Sequence, residues 1–175
     1  MQVKGSSHRI NGIHIIESLE FITNKQSYGP YGAAEPQGQL RSTQKNGKIV
    51  GFFGKSGHFV DQLGVVISFP SKREDLLVCQ GSWGGPGGSP FCDGRGEVVE
   101  LVVKYNKTQI ISVLVTYEQA GTRYTSQVHG GPDSGETKKV GLVKSEALFF
   151  WWGSCWESQG RWRWTWWSKY ECCGC

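Results

Sequence analysis

The stretch that decides the fold is Gly47-Lys48-Ile49-Val50-Gly51-Phe52-Phe53-Gly54-Lys55-Ser56-Gly57-His58-Phe59-Val60-Asp61-Gln62-Leu63-Gly64-Val65. One apolar run, Ile49 to Phe53, precedes its centre, and another, Leu63 to Phe69, follows it. Val, Ile and Phe at this density favour strands. Gly54, Lys55, Ser56 and Gly57 between them do not continue a strand comfortably, so the chain must turn tightly here. Asp61 falls just beyond the turn, with the backbone amides of His58 and Phe59 close to it. A fixed carboxylate beside N–H donors suits a polyhydroxylated ligand, whose hydroxyls donate to the one and accept from the other.

The rest of the chain agrees with an all-β reading. Its 175 residues suffice for one domain with a core, and 25 of them are Gly, against one Met. Glycine at this level with many β-branched and aromatic residues points to strands joined by tight turns. The net charge of +4 is mild and calls for no nucleic acid. No apolar run of membrane-spanning length is present, and Met1 to Ile16 lacks the apolar core of a secretory signal. A cytoplasmic or nuclear location is therefore expected, and with it reduced thiols.

Residues 1–12 are polar and rich in Gly and Ser, and Ile13 to Thr23 is the first clear strand. Tyr28-Gly29-Pro30-Tyr31-Gly32 reads as a turn, Gly38 to Gln44 as a short strand, and Asn46-Gly47 as a hairpin signal. Pro70 to Gln80 carries Lys72, Arg73, Glu74 and Asp75 together and reads as a linker. Beyond it, strands are expected over Val98 to Tyr105, Gln109 to Tyr117 and Thr122 to Val128. Gly84-Gly85-Pro86 and Gly130-Gly131-Pro132 echo one another, which suggests an internal repeat. Phe149 to Cys175 holds seven of the eight tryptophans and four of the six cysteines, with neither strand nor helix period. Its Arg161-Trp162-Arg163-Trp164 run reads as a membrane-active or base-stacking tail, or as a misjoined segment foreign to the fold.

Four segments carry a resemblance to the jacalin-related lectins of plants, of the mannose/glucose-binding type. GKIVGFFGKSGHFVDQLGV resembles the end of such a domain, and Gly57 to Asp61 matches its GxxxD sugar-binding loop. LEFITNKQSYGPYG, from Leu19, is similar to a segment upstream of that loop. GSWGGPGG, Gly81 to Gly88, resembles the glycine loop that opens the domain, and HGGPDSGETKKV, from His129, its second glycine loop. The resemblance covers 1–148. It implies a β-prism of three four-stranded Greek-key sheets and no catalysis, cofactor or metal. By position, Asp61 would accept from two sugar hydroxyls, and the amides of His58, Phe59 and Gly88 would donate. Gly57, Val60, Gly84, Gly85 and Gly87 would shape the loops. A glycine loop continuous with the preceding chain favours mannose over galactose. A second site would need its own GxxxD, and Tyr105-Asn106-Lys107-Thr108 offers no carboxylate, so one site is expected.

The family order is reversed here. Residues 1–69 look like the C-terminal half of a domain, 70–80 like a linker, 81–148 like the N-terminal half, and 149–175 like a tail without order. The chain is then either a fragment spanning two tandem domains or two halves closed on each other as a circular permutant. The expected partners are mannose- or glucose-containing glycans, with no nucleic acid or membrane and with homo-oligomerisation left open. Two other readings stand beside this one. A glycoside hydrolase needs two carboxylates about 5–9 Å apart, and Asp93 is the candidate to join Asp61. A lectin-like interaction module would bind no sugar at all.

Overall fold

The structure is a computed structural model that describes residues 2–10, 12–33, 40–41, 47–71 and 75–142. The proposed tail, 149–175, lies outside the described residues, as does most of the strand expected over Gly38 to Gln44. Every regular element among the described residues is a strand. In chain order they are β1 (Gln2–Ile10), β2 (Ile13–Ile22), β3 (Ser27–Gly32), β4 (Leu40–Arg41), β5 (Lys48–Ser56), β6 (Val60–Phe69) and β7 (Leu76–Gly84). Then follow β8 (Ser89–Cys92), β9 (Glu97–Tyr105), β10 (Ile110–Gln119), β11 (Thr122–Thr125), β12 (His129–Gly130) and β13 (Glu136–Gly141).

Three antiparallel sheets result. The first runs β3-β2-β1-β4, the second β7-β6-β5-β8, and the third β11-β10-β9-β13 with β12 also on β10. The third is thus five-stranded where four were expected. Each sheet is built on a hairpin, β1–β2, β5–β6 or β9–β10, with further strands on both flanks.

The inward faces meet in a single core. Ile16, Leu19 and Phe21 come from the first sheet, Phe52, Val60 and Val65 from the second, and Leu101, Val115 and Tyr117 from the third. Each is at most 1% exposed, and burial of a large aliphatic or aromatic side chain contributes about 1.5–3 kcal/mol. The core therefore takes strands from both sides of the 70–80 stretch. So does the second sheet, whose β5 and β6 precede that stretch and whose β8 follows it.

Three readings of the sequence need correction. Leu76 to Gln80 is no linker: it is the first part of β7, paired with β6 from Phe69↔Leu76 to Val65↔Gln80. Just before β7, Asp75 accepts from the Ser68 hydroxyl at 2.9 Å, which ties the start of that strand to the end of β6. The polar residues 2–10 form β1, held along β2 from Gln2↔Ile22 to Ile10↔Ile13. Cys79 and Cys92, expected to be free thiols, are both disulfide-bonded.

Candidate functional site

The three hairpins share one irregularity. In β5–β6 the pairing passes from Lys55↔Gln62 to Ser56↔Val60, so Asp61 is an extra residue without a partner. In β1–β2 it passes from Ser6↔Ser18 to Ser7↔Ile16, which leaves out Glu17. In β9–β10 it passes from Lys104↔Ser112 to Tyr105↔Ile110, which leaves out Ile111. Each is a β-bulge, a device that re-aims one side chain at the end of a sheet.

Each bulge is gripped the same way. A glycine with positive φ lies opposite the next residue: Gly32 (94°) by Ser18, Gly84 (112°) by Gln62, Gly130 (122°) by Ser112. The amide that follows donates to the carbonyl of the bulged residue. Ala33 donates to Glu17 at 3.1 Å, Gly85 to Asp61 at 2.8 Å and Gly131 to Ile111 at 3.3 Å. A Cβ on Gly32, Gly84 or Gly130 would strike that same carbonyl oxygen, so glycine is required by space as well as by φ. The internal repeat read from two glycine turns is in fact threefold, and Tyr28 to Gly32 belongs to it.

The three places differ in chemistry. In the first sheet Glu17 is buried, and its Oε2 accepts from the Ser6 hydroxyl at 3.0 Å. In the third sheet the bulged residue is apolar, and Ile111 is fully buried. The amides of Thr108 and Gln109, which precede it, both donate to Asn106 Oδ1, at 2.9 and 3.0 Å. That turn satisfies itself. In the second sheet the counterparts are His58 and Phe59, and no described residue accepts from either amide. Asp61 is only 6% exposed, and its buried Oδ2 has no hydrogen-bond partner among the described residues. Burial pushes its carboxyl above the usual carboxylate range, opposed in part by the amides of Gly57 and of Asp61 itself. An unsatisfied buried acceptor beside open donors is costly unless something fills the gap.

The glycine loop closes over this carboxylate. A Cβ on Gly87 would lie 2.8 Å from Asp61 Oδ1, and one on Gly88 2.6 Å from Oδ2. One on Gly57 would lie 3.5 Å from Oδ2 and 3.6 Å from the Gly88 Cα. Gly88 adopts a φ of 71° and is exposed, so a ligand has access to its backbone. Val60 is fully buried and anchors the loop to the core. Gly57, His58, Phe59, Asp61, Gly87 and Gly88, chosen from sequence, thus converge on one spot. Gly84 and Gly85 hold the backbone of Asp61 rather than line the opening.

Two further contributors brace the site. A Cβ on Gly131 would collide with the backbone of His58, so the second glycine turn braces the Gly57–Asp61 loop from behind. Gly85 stands in the same relation to His14. The other is Asp93. Its Oδ1 lies 2.6 Å from His129 Nε2, and its Oδ2 accepts from the Tyr117 hydroxyl at 2.7 Å. The His129 ring stacks on Phe91 with centroids 3.7 Å apart, and burial, then the Asp93 charge, raise the Tyr117 pKa. Asp93 ties β8 to β10 and β12 and has no oxygen left over. No group of His, Cys, Asp and Glu among the described residues would hold a metal ion.

Comparison with known proteins agrees with this geometry. The model of the jacalin-like lectin domain matches residues 1–66 and 80–160. The second match runs past Leu148, where the resemblance read from the sequence ends. The chain is similar to an agglutinin of Castanea crenata, 36% identical over 127 residues, covering 67% of this chain and 41% of that protein. It is similar to a mannose/glucose-specific lectin of Parkia platycephala, 32% identical over 112 residues, covering 63% and 24%. A mannose/glucose-specific lectin of Parkia pendula is 30% identical over 144 residues, covering 80% and 31%. The chain spans less than half the length of each of these relatives. No solved structure gives a significant match. With the family model covering most of its length and the fold built as three sheets around one core, the chain belongs to the jacalin-like lectin domain family.

Proposed function

We propose that the chain binds mannose- or glucose-type sugars, without catalysis, at the single place where Asp61 meets Gly87 and Gly88. One observation carries this reading: among the described residues, the second sheet alone pairs an unsatisfied buried carboxylate oxygen with open amides, at His58 and Phe59. Vicinal sugar hydroxyls supply the donors that Asp61 lacks and the acceptors that the amides lack. The names of the two Parkia relatives favour mannose and glucose over galactose. The equivalent places in the other sheets lack this pairing, which supports one site per chain. Hydrolysis is disfavoured, because both oxygens of Asp93 are engaged by His129 and Tyr117.

The reading includes closure as one domain. Asp61 comes from the first matched segment and Gly88 from the second, so the site exists only when the two pack together. We take the chain as a circular permutant of the family's ordinary domain, joined through residues 70–75.

Isothermal titration with methyl mannoside and methyl galactoside tests the proposal. Mannoside binding near millimolar, about 4 kcal/mol, is expected. Asp61→Asn should remove most of it, since a hydrogen bond to a charged group contributes about 1.5–3 kcal/mol. Equal binding by the folded Asp61→Asn variant would sink the site. Preference for galactoside would sink the specificity, and release of reducing sugar from an aryl mannoside would restore the enzyme reading.

A further inference from the structure

We propose that Lys55 and Lys104 are positioning residues of the sugar site, each a clamp on one of the two glycine turns that border the Gly57–Asp61 loop. This rests on the sugar-binding reading above. Lys55 Nζ donates to the Pro86 carbonyl at 3.2 Å, and Lys104 Nζ donates to the Pro132 carbonyl at 3.1 Å. The two bonds are equivalent. Lys55 stands opposite Gln62 and Lys104 opposite Ser112, in each case the residue after the bulge. Each reaches the proline of a Gly-Gly-Pro turn.

The third equivalent place breaks the pattern. In the first sheet it is Ser6, opposite Ser18, and its hydroxyl is directed to Glu17 and Ser18 instead. Lysine therefore stands where a turn borders the site. The Pro86 turn leads directly into Gly87 and Gly88, which face Asp61. The Pro132 turn carries Gly131, which packs on the backbone of His58.

The physical advantage is preorganisation. A run such as Gly84-Gly85-Pro86-Gly87-Gly88 is poor in side chains that could hold it by packing, and glycine loses the most freedom on ordering. Pinning one carbonyl with a charge-assisted bond before the ligand arrives lowers that cost at binding. Both lysines are half-buried, so their stems are partly fixed along the strand. Neither needs to touch the sugar.

The test compares Lys55→Met, Lys104→Met, Lys55→Arg and Lys139→Met. Lys139 forms a shorter contact, 2.7 Å to Glu100, but lies in no glycine turn, so it controls for loss of a surface charge. Methyl mannoside affinity, melting temperature and the 15N order parameters of Gly87 and Gly88 in sugar-free protein are measured. Lys55→Met should weaken binding about three- to tenfold, with lower order at Gly87 and Gly88 and little change in melting temperature. Lys104→Met acts through His58 and should cost about two- to threefold. Lys55→Arg should recover most of the affinity, and Lys139→Met should match the wild type. Unchanged affinity in Lys55→Met, against a wild type that binds, overturns the clamp alone. A wild type that binds no sugar overturns the reading on which the clamp rests, and unchanged order parameters would then discard the clamp as well.

Discussion

At the scale of the residue, Asp61 divides its work between two groups. Its carbonyl accepts from Gly85 and holds the loop, while its carboxylate Oδ2 has no hydrogen-bond partner among the described residues. Asp61→Asn keeps the carbonyl and the shape, so binding should be lost without unfolding. The pH dependence has two opposite parts. Burial raises the folded carboxyl above its usual range, so the stability it contributes is full below the ordinary carboxylate pKa and lost as pH rises through the raised one. At neutral pH, sugar-free Asp61→Asn should therefore melt no lower than the wild type in a calorimetric scan. Sugar affinity runs the other way, because the ionised carboxylate is the stronger acceptor. It should fall as titrations move from neutral pH down through the raised value, and a flat profile would argue against an ionised Asp61 in the complex. Asp61 was legible in the sequence, from its spacing to Gly57. Its bulge was not, since a bulge exists only in the register of Lys55 and Ser56 against Gln62 and Val60. The bracing role of Asp93 was not legible, because its partners, Tyr117 and His129, lie 24 and 36 residues away.

At the scale of the element, the glycine turns separate folding from binding within a few residues. Gly84 has a φ of 112°, and a Cβ there would hit the Asp61 carbonyl. Gly84→Ala should destabilise the chain by about 1–3 kcal/mol or more in urea melts. Gly87 is not among the residues with positive φ, and a Cβ there meets mainly the Asp61 carboxylate, at 2.8 Å from Oδ1. Gly87→Ala should leave the urea midpoint nearly unchanged and yet abolish mannoside binding. Equal effects of the two substitutions on stability would mean that the division of roles is wrong. The strands themselves were unevenly legible. β6, β9 and β10 announce themselves through Val and Ile. β1 does not, because Gly5, Ser6 and Ser7 give no apolar alternation, and Ser6 is buried as a hydrogen-bonded hydroxyl. In β7 the charges at 72–75 masked the Leu76-Leu77-Val78 run that follows them.

At the scale of the whole molecule, one core joins residues from all three sheets, so calorimetry should show a single cooperative transition. Two transitions would contradict closure of the halves on each other. Removal of Phe149 to Cys175 tests whether that segment is dispensable: an unchanged melting temperature and unchanged mannoside affinity are the expected result. The second sheet carries a further consequence. A sugar seated between Asp61 and Gly88 would grip chain from both sides of residues 70–75 at once. If a protease cut the chain there, the covalent tie between the grips would be gone, and the ligand would become a bridge between two pieces. Saturating sugar, at about a hundred times its dissociation constant, adds about 2.7 kcal/mol of cohesion to whatever the shared core provides. In a nicked molecule the bound glycan would thus serve as a fastener, added to the hold of the shared core.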